Sequence, residues 1–135
     1  MEVLTRDNKY IVIRVSEDKV VKGRFKIQLE PPFKIVNSLP KHIYVQLLND
    51  HKETTQTFKM LQQTVIEDFK HSLYRRVYMR VLLDGFFWSS EHHLYPDPQK
   101  KEKDELTKED CIFKIPLLDS NDQTLSLLCY EPWRL

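Results

Sequence analysis

Val20-Val21-Lys22-Gly23-Arg24-Phe25-Lys26-Ile27-Gln28-Leu29-Glu30 is the most regular stretch of this chain. Val21, Gly23, Phe25, Ile27 and Leu29 alternate with Lys22, Arg24, Lys26, Gln28 and Glu30. A period of two with one polar face predicts a half-buried antiparallel strand whose apolar row faces a core. Gly23 falls in that apolar row, where a missing side chain predicts a bulge or a close backbone crossing. Just upstream, Tyr10, Ile11, Val12, Ile13 and Val15 give Lys9–Val15 the β-branched and aromatic bulk of a second strand. The polar break Ser16-Glu17-Asp18-Lys19 joins the two runs into a hairpin. Pro31-Pro32 ends it, because proline cannot donate to a ladder.

The same pattern recurs downstream. His42–Leu48 predicts a strand with Ile43, Val45 and Leu47 inward, and Asn49-Asp50-His51 a turn. In Arg76–Trp88, Val77, Met79, Val81 and Leu83 form one face, and Asp84-Gly85 reads as a turn or bulge. Cys111–Leu118 and Thr124–Tyr130 flank the polar turn Asp119–Gln123, a second hairpin. Pro116 inside its first strand predicts a sheet edge or bulge. Between these runs, Phe58, Leu61, Val65, Phe69 and Leu73 recur at spacings of three and four. That stripe predicts one helix within Thr54–Tyr74, with Thr57 as its N-cap and Glu67, Asp68, Lys70 and His71 facing water. Ser89–Asp110 carries Pro96, Pro98 and the run Lys100–Glu105, a charged mobile loop. The expected fold is mostly β (β-rich α+β). It is an antiparallel sandwich or small barrel of about six strands with one helix and the charged loop, in a single domain over 1–135.

Composition narrows the function classes. The chain has 135 residues, 41% hydrophobic and 30% charged, ordinary for a globular domain that needs no disulfide or metal to hold a core. A net charge of +1 exerts no global pull toward nucleic acid or an anionic membrane. Two glycines, Gly23 and Gly85, cannot build a phosphate cradle, so no nucleotide cofactor is expected. Cys111 and Cys129 are too few and too far apart for a secreted disulfide framework. No run approaches the ~20 apolar residues of a membrane span, and the first residues lack a signal-peptide pattern. The expected location is cytoplasmic or nuclear.

Residues that could carry chemistry are few. The densest signal is basic and aromatic: Lys70, His71, Tyr74, Arg75, Arg76, Tyr78 and Arg80. On a strand, Arg76, Tyr78 and Arg80 share a face about 7 Å apart. Guanidinium groups beside a phenol suit single-stranded nucleic acid, and the row Lys22, Arg24 and Lys26 would extend the groove. The competing reading pairs these cations with carboxylates on a neighbouring strand. Glu91-His92-His93 lacks metal-ligand spacing, since adjacent histidines on a strand point to opposite sides. No nucleophile elbow is present, and the cysteines sit in apolar runs where thiols are inert. No catalytic residue, metal or cofactor is expected.

Two linear features concern partners. Leu94-Tyr95-Pro96 resembles the start of the Leu-Tyr-Pro late-domain peptide with which some viral structural proteins recruit budding machinery; the resemblance covers three residues, without the leucine that should follow. At the other end, Tyr130, Trp133 and Leu135 offer large apolar groups of the kind that anchor interfaces. The expected function is therefore a non-catalytic interaction or assembly protein, a small β-rich subunit that self-associates or docks to a larger complex. The alternative is a single-stranded nucleic-acid-binding domain built on the basic-aromatic strand.

Overall fold

The alternation that dominates the sequence forms the hairpin it predicts. Tyr10–Glu17 pairs antiparallel with Phe25–Glu30, placing Ile13 opposite Leu29 and Val15 opposite Ile27. The computed structural model describes residues 1–94 and 112–130. Eleven strands lie among them: β1 (Glu2–Leu4), β2 (Tyr10–Glu17), β3 (Phe25–Glu30), β4 (Phe33–Asn37), β5 (Ile43–Leu48), β6 (Thr54–Met60), β7 (Thr64–Asp68), β8 (Val77–Leu82), β9 (His92–Leu94), β10 (Ile112–Leu118) and β11 (Thr124–Tyr130). They form four antiparallel sheets, ordered β1-β2-β3, β4-β7, β6-β5-β8-β9 and β10-β11.

One apolar cluster ties three of these sheets together. Ile43, Val45 and Leu47 from β5, Val77, Met79 and Val81 from β8, Met60 from β6 and Leu94 from β9 face Phe33 of β4 and Ile115 and Leu117 of β10. Ile35, Ile66 and Leu127 pack at its margin. The four-stranded sheet is thus one layer, and the two hairpin-sized sheets form the layer opposite. Each fully buried aliphatic side chain here contributes roughly 1.5–3 kcal/mol by leaving water. The layers remain separate sheets, so the barrel option does not hold; an open antiparallel sandwich does.

The expected helix is absent, and no helix occurs among the described residues. The stretch Thr54–Tyr74 holds β6, β7 and the residues that follow them. β6 pairs with β5 while β7 pairs with β4, so the chain crosses from one layer to the other at Leu61–Gln63. Gln63 makes the crossing in a left-handed conformation, φ 55°. The stripe that resembled a helix splits between environments: Leu61 and Val65 are exposed, whereas Met60 and Asp68 are buried. β-branched Thr54, Thr55, Thr57, Thr64, Val65 and Ile66 explain the outcome, since their stiff side chains fit a pleated surface better than a helix. Nor do Asp68 and His71 face water; both are buried.

Other expectations shift less. Gly23 lies in the β2–β3 connection with φ 81°, open space around it, rather than in a strand. Gly85 occupies the expected turn. Phe86 N–H donates to Leu83 C=O at 3.0 Å and Gly85 takes φ 89°, a conformation that excludes a β-carbon without strain. Pro116 sits in a two-stranded sheet, where both strands are edges. Of the charged loop, residues 95–110 lie outside the described residues, as do Cys111, Trp133 and Leu135.

Buried polar groups stitch the layers. The Asn37 amide donates to the carbonyls of Lys41, Met60 and Leu61 at 2.9, 3.3 and 3.1 Å, and its oxygen accepts from Leu39 N–H at 3.1 Å. Ser89 does the same for β8: its N–H donates to Val81 C=O, and its Oγ accepts from Val81 N–H, both at 2.9 Å. A serine thereby satisfies the strand where β9 stops pairing.

Candidate partner-docking surface

The β1-β2-β3 sheet differs from the other three. Directly opposed residues share a face, so Val3, Ile11, Ile13 and Val15 line up with Leu29, Ile27 and Phe25. This row is apolar apart from Glu17 opposite Phe25, and it does not enter the core cluster. Val15, Phe25, Ile27 and Leu29 are 63%, 63%, 68% and 67% exposed. Soluble domains seldom display several large side chains on one flat face unless the face binds something. The opposite face carries Arg14, Ser16, Lys26, Gln28 and Glu30, with Arg14 Nε donating to Glu30 at 2.6 Å.

The sheet is held to the sandwich at its inner end. Val12 is buried, and Tyr10 N–H donates to Phe69 C=O at 2.7 Å. The Glu2 carboxylate accepts from Ser72 Oγ at 2.5 Å and from Leu73 N–H at 2.7 Å. One acidic side chain thus ties β1 to the turn after β7. Beyond Val12 the hairpin projects outward, and both of its faces reach solvent.

The basic-aromatic residues fall elsewhere. Arg76 precedes β8 and is exposed, while Tyr78 and Arg80 lie on the outward face of the four-stranded sheet. Lys22 and Arg24 lie in the β2–β3 connection and Lys26 on β3, so the two basic groups belong to different sheets. Contacts occupy the strand residues. Tyr78 stacks at a tilt on His93 with centroids 5.2 Å apart, and Lys52 Nζ lies 5.3 Å from the phenol centroid. Arg80 donates to Glu91 at 2.9 Å. His93 opposes Tyr78 while His92 opposes Met79, so adjacent histidines do point to opposite sides. Among the described residues no cluster of metal-ligating groups is present. Tyr130 ends β11 opposite Ile112, and Cys129 is half-buried beside the core.

The hydrogen bond from Arg80 holds the Glu91 carboxyl below its ordinary 4.5, with its own backbone N–H and the charges of Arg80 and Lys52 adding to the effect. A depressed carboxylate stabilises the fold above its unfolded pKa, and that contribution is lost as pH falls through the folded value. Arg80→Ala is therefore expected to move the Glu91 titration, followed by carboxyl-carbon NMR, upward toward 4.5.

A buried series of polar groups lies beneath the anchoring turn. Asp68 Oδ2 is 2.7 Å from His71 Nδ1 and also accepts from His71 N–H at 3.2 Å. His71 Nε2 lies 2.6 Å from Thr55 Oγ1. With its amide turned to suit its neighbours, Gln56 donates to Asp68 Oδ1 and accepts from Lys70 Nζ, both at 2.9 Å. Hydroxyl, imidazole and carboxylate in series match the outline of a hydrolytic relay. Thr55 is wired differently, because its hydroxyl donates to Leu47 C=O at 3.0 Å and its proton is committed to the backbone. The series is a structural tie between β6 and the end of β7. Sequence reasoning missed it because the misread helix placed Asp68 and His71 in solvent.

No curated protein matches the chain. A family model does: the adaptor-binding domain of vacuolar-sorting associated protein 13, aligned over residues 3–132. That span takes in every strand from β2 to β11 and all but the first residue of β1. An open β framework, a projecting sheet with an uncovered apolar face and a match of this extent agree: the chain belongs to the adaptor-binding domain family of vacuolar-sorting associated protein 13 and is a non-catalytic, protein-binding domain.

Proposed function

We propose that this domain recruits a protein adaptor to a larger complex through the β1-β2-β3 sheet. The observation that carries the reading is the apolar row Val15, Phe25, Ile27 and Leu29, exposed on a sheet that the core does not use. Family membership supports a protein as the occupant. The contacts of Tyr78 and Arg80 favour it over nucleic acid, since base stacking would displace His93 and phosphate would compete with Glu91. A cytosolic or nuclear site of action fits a domain whose fold needs no disulfide.

Site-specific photo-crosslinking tests this. Ile27→benzoylphenylalanine places the probe on the apolar row, and Lys59→benzoylphenylalanine places it on the outward side of the four-stranded sheet as a control. In cells, protein adducts are expected from position 27 and not from position 59. Equal labelling at both, or none at either, would refute the reading. Adducts restricted to a second copy of the chain would move it to self-association.

A further inference from the structure

Three features of β3 coincide. It is the outermost strand of its sheet, and no backbone hydrogen bond among the described residues reaches its outer edge. Its side chains alternate between Phe25, Ile27 and Leu29 on one face and Lys26, Gln28 and Glu30 on the other. Its approach is cationic: residues 17–26 hold Lys19, Lys22, Arg24 and Lys26 against Glu17 and Asp18, a surplus of two. Arg24 reaches Asp18 at 4.0 Å, whereas Lys19, Lys22 and Lys26 have no ion pair among the described residues.

An unpaired edge is a template for a further strand. A strand added there must continue both faces, because neighbours across a ladder share a face. On the Ile27 side it needs apolar side chains to extend the row; on the Lys26 side it needs carboxylates to meet the cations. A second copy of the chain would bring the same cationic surplus, and its own Glu30 is already held by Arg14.

Resting on the docking reading above, we propose that the partner segment is an extended peptide alternating apolar and acidic residues. It adds to the outer edge of β3 as the fourth strand of the sheet. Main-chain hydrogen bonds supply the pairing, and the alternation selects the sequence.

The probe is a fluorescein-labelled eight-residue peptide alternating isoleucine and glutamate, titrated by anisotropy with the whole chain. Saturable binding is expected for the alternating peptide. It should be absent when the same residues are grouped in blocks, and absent when lysine replaces glutamate. N-methylation of one alternate set of backbone amides should abolish binding while the other set is tolerated, because only one set faces β3. Ile27→Glu should abolish binding. Lys22→Glu combined with Lys26→Glu should weaken it by about tenfold and turn the preference toward the lysine peptide. These residues are exposed, so circular dichroism melts should show each variant folded as the parent. Equal binding of alternating and blocked peptides, or tolerance of N-methylation in both sets, overturns strand addition. So does dimerisation through β3 that excludes the peptide. Should the peptide fail while position 27 still crosslinks to a protein, strand addition falls and the docking reading stands; failure of both removes the docking reading as well.

Discussion

Asp68→Ala is expected to lower stability by about 3–5 kcal/mol, the usual cost of removing one partner from a buried polar pair. The Asp68 carboxylate is 1% exposed and His71 8%, so water cannot replace it. Three donors lose their acceptor at once: His71 Nδ1, the His71 amide and the Gln56 amide. Each orphaned donor retains its desolvation penalty. For a domain of this length the loss corresponds to a fall in melting temperature of roughly 10–15 °C, read by circular dichroism. Asp68→Asn keeps the shape and one acceptor, and should fall between the two. A melting temperature within about 2 °C of the parent for Asp68→Ala would show that the series carries no weight in the fold.

Leu47→Ala should destabilise the sandwich by about 3–4 kcal/mol, within the range for large-to-small changes in packed cores. Leu47 is fully buried on β5 and sits in the cluster that joins the two layers. A bulge between Leu47 and Leu48 lets both consecutive leucines be buried, so neighbouring backbone is poorly placed to collapse into the gap. Leu29→Ala provides the contrast. The same atoms are removed from a side chain 67% exposed, and the expected change is within about 0.5 kcal/mol. Urea unfolding of the two variants measures both. Equal losses would mean that the projecting sheet contributes to the core after all.

The strands with clear period two were readable from residue order alone. Ile43–Leu48, Val77–Leu82 and Thr124–Tyr130 follow alternation or β-branched bulk, and the β2–β3 hairpin follows its polar break. The crossover between β6 and β7 was not readable. It turns at Leu61-Gln62-Gln63, with no glycine, proline or asparagine to mark it, and Gln63 bears the left-handed conformation. Phe58, Leu61 and Val65 then fell by coincidence on a helical spacing. β1 and β9 have only three residues each, too short for periodicity to register. The candidate surface was half readable. Alternation marked Phe25, Ile27 and Leu29 as one face, but period says only that two faces differ. Whether the apolar one is covered depends on the packing of distant strands, and the core is filled by β4, β5, β8 and β10 without it. For the same reason Lys22, Arg24 and Lys26 could not be placed relative to Tyr78 and Arg80.

The tether of the β1-β2-β3 sheet also governs how the molecule comes apart. Its outer half is joined to the sandwich through one backbone hydrogen bond at Tyr10, the Glu2 carboxylate and the buried Val12, while its large apolar side chains remain in water. Little of the global unfolding free energy therefore resides in β3, and the hairpin tip is free to open while β5 and β8 stay closed. An occupant of that edge protects a local unit that the melting of the sandwich does not report. Occupancy registers first as slowed amide exchange in Phe25–Glu30, ahead of any rise in melting temperature.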